Sequence, residues 1–236
     1  PQGGELIITG GSISSGNTAV EVRSGSLTVT DGTISGGTEG PAVVKNGNGP
    51  TTSNTGIAIA QHTTNQPITV NINGGTISGN AAVYESNPQG NDSTDTNKVT
   101  VNMENAALKG DVKSEGFGAI AMDQVQITGN VTKGGTGAMA IVNSKITGTV
   151  SGSGVTLLNC TDAQGQPITN QVPGNKVAMV GTNTYDSLSG AVTAVSNGTA
   201  TGTIYLLKDT TENVTIPVGA NITIDGGANK YSIKGT

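Results

Sequence analysis

GDVKSEGFGAIAM at residues 110–122 returns 19 positions later as GNVTKGGTGAMAI at residues 129–141, and a third start, GTVSGSG at residues 148–154, falls 19 further on. Nearer the N-terminus, LIITGGSIS at residues 6–14 matches LTVTDGTIS at residues 27–35, offset by 21, and VNINGGTIS at residues 70–78 matches after a further 43. A fixed period of this kind is the first thing a chain can reveal about its fold, because each repeat is then one structural unit stacked on the next.

Superposing the repeats gives columns. The first apolar column reads Leu6, Leu27, Val70, Val101, Ile120, Met139, Leu158; the second reads Ile8, Val29, Ile72, Met103, Met122, Ile141, Cys160; the third reads Ile13, Ile34, Ile77, Leu108, Ile127, Ile146. The residues between the first two columns, such as Thr28, Asn71 and Asn102, are polar, so the period within a segment is two and the segment is a strand. Gly10-Gly11, Asp31-Gly32 and Gly74-Gly75 separate the second and third columns, where the chain must turn sharply. Short strands, frequent turns and like side chains every 19 to 21 residues predict an all-β fold: a parallel β-helix over residues 1–160. Strand-crossover chirality makes it right-handed. No single repeat holds enough apolar surface to fold alone.

The offset of 43 and a further one of 31, from Val70 to Val101, imply insertions at residues 46–55 and 86–97, after expected strands at residues 42–45 and 82–85. Both leave the same corner of adjacent coils, so they are expected side by side. Residues 161–183 are polar and read as a linker. Leu188, Ala191, Val192 and Val195 then follow helical spacing, with Thr184 or Asp186 as N-cap and Asn197-Gly198 as the stop. Strands are expected again at residues 203–207, 214–216, 222–224 and 231–233. Residues 184–236 thus read as a capping helix and the first coil of a second β-helix, and the chain as a segment of a tandem protein.

Composition narrows function. The chain of 236 residues has formal charge −5, 11 Lys plus Arg, and four Tyr and one Phe as its only aromatics. That leaves neither a basic track nor a stacking platform for nucleic acid. One cysteine cannot form an internal disulfide, and one histidine cannot form a His-based zinc site. Cys160 reads as a small core residue and His62 as a surface residue. No run approaches the roughly 18 apolar residues of a membrane span. Thr ladders of the kind that bind ice are absent, since the outward column that includes Thr9 and Thr30 ends in Glu104 and Asp123.

SLSGAV at residues 187–192, TIYLLKD at 203–209, NVTIP at 213–217, NITIDGG at 221–227 and the recurring GGTISG at 74–79 resemble right-handed β-helix modules of the pectate-lyase-like class in large bacterial surface proteins. The resemblance implies secretion, a place on the bacterial cell surface, attachment through the remainder of a longer protein, and adhesin-like or carbohydrate-contacting roles toward host or environmental glycans or proteins. It carries over no catalytic residue.

The residues themselves offer two candidate sites. Glu104 and Asp123 share an outward column on adjacent coils, a separation close to that of a retaining glycosidase pair; without a third group beside them they are two solvated acids. Asn46 and Asn48 in the first insertion and Asn91, Asp92, Asp95 and Asn97 in the second offer oxygens to a ligand. The pattern calls for no cofactor; the second set could supply oxygens to Ca²⁺ but lacks the closing bidentate Glu of a recognised loop. The leading expectation is therefore a noncatalytic extracellular stalk displaying polar loops. The alternatives are a glycan-cleaving lyase or hydrolase using Glu104 and Asp123, and a surface filament subunit that assembles end to end. A single arginine, Arg23, speaks against a lyase.

Overall fold

The computed structural model describes residues 3–46, 51–62, 65–94, 96–172 and 174–236. Among them the fold is all-β apart from one helix, Leu188–Ser196. A 15-stranded sheet draws its strands from residues 5–158, and every strand pair in it is parallel. The sheet curls round an apolar interior, a shape compatible with a solenoid.

Strand register realises the sequence columns. Leu6, Leu27, Val70, Val101, Ile120 and Met139 are successive register partners, as are Ile8, Val29, Ile72, Met103, Met122 and Ile141. Ile34, Ile77, Leu108, Ile127 and Ile146 follow the same rule, each with 1% or less of its surface exposed. Burial of each such side chain contributes about 1.5–3 kcal/mol. The last pass departs from expectation: Met139 and Ile141 pair with Val155 and Leu157, not with Leu158 and Cys160. The tight SGSG turn at residues 151–154 spends three fewer residues than earlier turns, which turns Leu158 outward. Cys160 is still buried, but in register with Ser144, because Lys145 bridges Thr161.

A further inward column was not foreseen. Val20, Ile57, Val83, Val112, Val131 and Val150 pair in succession. Beside it run Val22, Ile59, Glu85 and Ser114, so a carboxylate stands in an apolar interior at 1% exposure.

The turn after the second column changes character along the stack. Gly11, Gly32 and Gly75 have positive φ in the early passes; Asn105, Gln124, Asn143 and Asn159 take over in the later ones, with φ between 49° and 55°. A single left-handed residue now makes the corner, and asparagine tolerates that conformation best after glycine.

The first insertion is arranged differently from the sequence reading. Val43–Val44 pairs antiparallel with Thr52–Ser53 as a hairpin, and the strand that joins the stack is Thr55–Ala60. The reason is burial: Ile57 and Ile59 are buried in the interior, whereas Val43 is 38% exposed. The hairpin precedes its stack strand and residues 86–97 follow theirs, so the two insertions leave different corners. They nevertheless meet, since the hairpin folds over Ala81 and Tyr84 and Asn46 Oδ1 accepts from the Gln89 amide.

Residues 161–183, expected as a linker, carry the strand Ala178–Val180 and bridges from Thr161 to Pro167 and from Gln171 to Leu157. Ala178–Val180 pairs antiparallel with Asn183–Tyr185 and with Ile204–Leu206, which in turn pairs in parallel with Ile224–Asp225. Thr210–Thr211 pairs in parallel with Ile233–Lys234. The segment 214–216, expected as a strand, is irregular. The helix buries Leu188, Ala191 and Val192 against Ala178, Ile204 and Leu206. Its N-cap is Ser187 rather than Thr184 or Asp186, with the Gly190 N–H donating to Ser187 Oγ at 3.0 Å. Thr184 is already used in a strand.

Candidate functional site: a groove beside Glu104 and Asp123

Glu104 and Asp123 end the strands Val99–Glu104 and Ala119–Asp123 and are register partners. Alternation points Met103 and Met122 inward and the two acids outward, one strand spacing apart, about 4.8 Å. They are not, however, two solvated acids alone on a convex face. The Tyr205 hydroxyl donates to Asp123 Oδ2, and Asn143 Nδ2 donates to Asp123 Oδ1 at 3.2 Å. Burial, and then the carboxylate beside it, pushes the Tyr205 phenol up, so it remains a protonated donor throughout the neutral range.

This contact docks the C-terminal segment on the flank of the stack. Asn159 Nδ2 donates to Asn143 Oδ1 at 3.2 Å, and Asn159 Oδ1 accepts from the Ala228 N–H at 3.2 Å, extending the polar seam. Below it, Ala140, Val142 and Leu158 pack against Met179, Tyr205 and Leu207. The outward turn of Leu158 is what makes this second apolar patch.

Between the two parts lies a cavity of about 340 Å³. One wall is the outward column Asn71, Asn102, Ala121 and Ala140 with Asn73 and Glu104; the other is Gly181, Thr201, Gly202, Thr203 and Tyr205. Asn102 Nδ2 donates to Asn71 Oδ1 at 3.0 Å, which fixes both amide planes. The repeat pattern does not point to this groove, because Tyr205 lies 82 residues from Asp123 and belongs to no shared period.

The insertion residues are placed otherwise than a ligand loop requires. Asn97 is 1% exposed; its Oδ1 accepts from the Thr94 hydroxyl at 2.9 Å and its Nδ2 donates to Asn65 Oδ1 at 2.9 Å. Asn91 donates to the His62 carbonyl at 3.0 Å. Asn46 is engaged by Gln89, and Asp92 is exposed, its carbonyl taken by Asn97. Asn48 and Asp95 lie outside the described residues. These side chains hold the loops together, and among the described residues no cluster of three or more His, Cys, Asp or Glu is placed to hold a metal ion.

Two buried polar centres escaped the sequence reading. Glu85 accepts from Ser114 Oγ at 3.0 Å, from the Gly116 N–H at 3.1 Å and from the Gly118 N–H at 3.0 Å. Burial raises its pKa against the pull of those donors. The glycines at 116 and 118 were the available signal, since a Cβ at Gly116 would meet Glu85 Oε1 at 2.1 Å. His62, expected at the surface, is 3% exposed. Its Nε2 lies 2.7 Å from Thr51 Oγ1, whose proton goes to Glu21 Oε1, and Arg23 bonds Glu21 Oε2 at 3.2 Å. The Thr51 proton being committed, Nε2 must carry the imidazole hydrogen, which leaves Nδ1 as a buried lone pair with no partner among the described residues.

Comparison with protein-family models, with curated proteins and with solved structures finds no match to this chain.

Proposed function

We propose that this chain is a noncatalytic structural segment of a bacterial cell-surface protein: a right-handed parallel β-helix that serves as a rigid extracellular spacer, followed by the capping helix and first coil of a second module. The observation that carries the reading is the use made of Asp123. Each of its carboxylate oxygens accepts a hydrogen bond, one from Asn143 and one from Tyr205, joining the C-terminal segment to the stack. An acid held in that way is a structural fastening, and a fastening at this point is what a stiff two-part rod needs. The apolar columns, continuous from Leu27 to Met139, support the same reading.

One observation favours a second reading, a glycan-cleaving enzyme: the acid pair borders a groove and has Tyr205 as a third ionisable group. Against it, Asn143 and Tyr205 hold Asp123 at the seam between the two parts, so moving that carboxylate toward a substrate would break the docking contact.

Small-angle scattering tests the spacer: a single elongated rigid body should fit the profile, and a profile demanding two bodies that reorient freely would reject it. Reducing-end release from a polysaccharide panel, abolished by Glu104→Gln, would establish the enzyme instead.

A further inference from the structure

We propose that His62 is an acid-operated latch between the two insertions: when its imidazole takes up a proton, the hairpin and the 86–97 loop come away from the end of strand Thr55–Ala60 and from each other. The spacer reading does not require this, and the inference stands on the junction alone.

Three elements meet on His62. It follows the stack strand Thr55–Ala60 and is held in the left-handed region, with φ 34°. Thr51, from the hairpin, accepts from Nε2 at 2.7 Å and donates to Glu21 on strand Val20–Val22. Asn91, from the second insertion, donates to the His62 carbonyl at 3.0 Å. The hairpin is otherwise lightly held. It pairs only at Val43 with Ser53 and Val44 with Thr52, and Ala42 and Val44 rest on Ala81 and Tyr84. The Thr18 hydroxyl adds a bond to the Thr52 carbonyl at 2.7 Å.

A second proton can enter the ring only at Nδ1, which is buried and has no acceptor among the described residues. Glu21 cannot serve it: its Oε1 lies 3.7 Å from Nε2, on the other side of the ring, and already accepts from Thr51. The charged groups that face His62 are Glu21 and Arg23; the hairpin brings only a hydroxyl, and the second insertion a neutral amide, with Asp92 beside it exposed. An imidazolium there would carry a buried N–H without a partner next to the Arg23 guanidinium, which is far costlier than an ordinary hydrogen bond is favourable.

Water is the acceptor that relieves Nδ1, and it arrives when the insertions lift. The ring therefore titrates at its ordinary 6.5 in the open form and lower in the closed one, so acid draws the equilibrium toward opening. Opening stays local, because Ile57 and Ile59 keep their register with Val20, Val22 and Val83 whether or not Thr51 and Asn91 are engaged.

The test follows the imidazole of this one histidine by NMR in the full chain from about pH 7.5 to about pH 5, together with amide exchange corrected for its intrinsic pH dependence. The Lys45 N–H, which donates to the Thr51 carbonyl at 2.6 Å, reports on the hairpin, the Asn91 side-chain amide on the second insertion, and the Ile120 N–H on the stack. Lys45 protection should fall by up to roughly thirtyfold at the acid end, the population ratio set by about 1.5 pH units below 6.5. The Asn91 amide should shift with the same midpoint, and Ile120 should keep its protection. His62→Gln should hold Lys45 protection level across the range. Thr51→Val should lower it already at neutral pH and move the His62 midpoint up toward 6.5. The proposal is overturned if His62 titrates while Lys45 and Asn91 stay unmoved, if Lys45 and Ile120 lose protection together, or if His62→Gln shows the parent's acid loss. Should His62→Gln not fold, an unchanged His62 midpoint in Thr51→Val overturns it equally.

Discussion

The Tyr205 hydroxyl reaches across 82 positions of chain to the Asp123 carboxylate, and with Met179 and Leu207 it seats the C-terminal segment on Ala140, Val142 and Leu158. Tyr205→Phe keeps the ring and removes the donor. Hydrogen bonds to charged groups contribute about 1.5–3 kcal/mol net, so the variant should lose stability of that order. The loss should be visible as a lower urea midpoint, accompanied by earlier exposure of the segment from Ala178 onward in hydrogen exchange. A midpoint equal to the parent's would show that the apolar patch alone does the docking.

Gly134 and Gly135 make a matched pair. A Cβ on Gly135 would lie 1.9 Å from the Gly116 carbonyl oxygen of the preceding pass, whereas one on Gly134 would meet nothing nearer than 3.9 Å. Gly135→Ala should therefore destabilise by about 1–3 kcal/mol or more, and Gly134→Ala should stay within about 0.5 kcal/mol of the parent. Thermal melts of the two proteins decide it, and equal melting temperatures would mean the passes are not stacked as described.

Acid should act on the chain in two separate windows. Burial, and then Arg23, holds the His62 pKa below its ordinary value of 6.5, with Glu21 opposing. The unfolded chain thus takes up a proton at higher pH than the folded one, and the stability that neutral His62 contributes is whole above about pH 6.5 and declines as pH falls toward the folded value. His62→Gln should flatten the melting temperature between about pH 7 and 5. A parent profile already flat there would contradict the buried, neutral imidazole.

Glu212 governs the lower window. Burial alone would raise its pKa, but hydrogen bonds from the Leu188 N–H, from the Ser189 hydroxyl and N–H and from Thr210 bring it down to about 2. Its contribution is complete above the ordinary 4.5 and is lost as pH falls toward about 2. Helical circular dichroism should fade over that interval in the parent, while Glu212→Gln should show weakened helix signal already at neutral pH and little further acid dependence.

Gln124 breaks the corner column of asparagines, holding φ 53° where its counterparts are Asn105, Asn143 and Asn159. Asparagine bears that conformation more easily, so Gln124→Asn should stabilise by about half a kcal/mol. A differential melt against the parent is sufficient; a lower melting temperature would indicate that the Gln124 side chain has a role beyond the turn.

The stacked columns were legible because apolar residues at period two and at 19-residue spacing leave a mark in one dimension that three dimensions merely align. What stayed hidden follows from the same physics. Glu85 interrupts a column that otherwise reads Val22 and Ile59, and a polar letter in an inward position looks like an outward one. The hairpin of Val43–Val44 and Thr52–Ser53 carried strand-like residues without belonging to the stack, and only the competition with Ile57 and Ile59 for the buried slot decides between them. The groove depended on Tyr205 arriving from outside the repeat, and His62 on Thr51 and Glu21 from two different passes, neither of which a period can encode.

The unbroken 19-residue register from Val101 through Ile120 to Met139 has an evolutionary corollary. A tandem copy of residues 120–138 spliced into the gene would find complementary neighbours both above and below, so the molecule can lengthen by whole increments without any redesign of its termini.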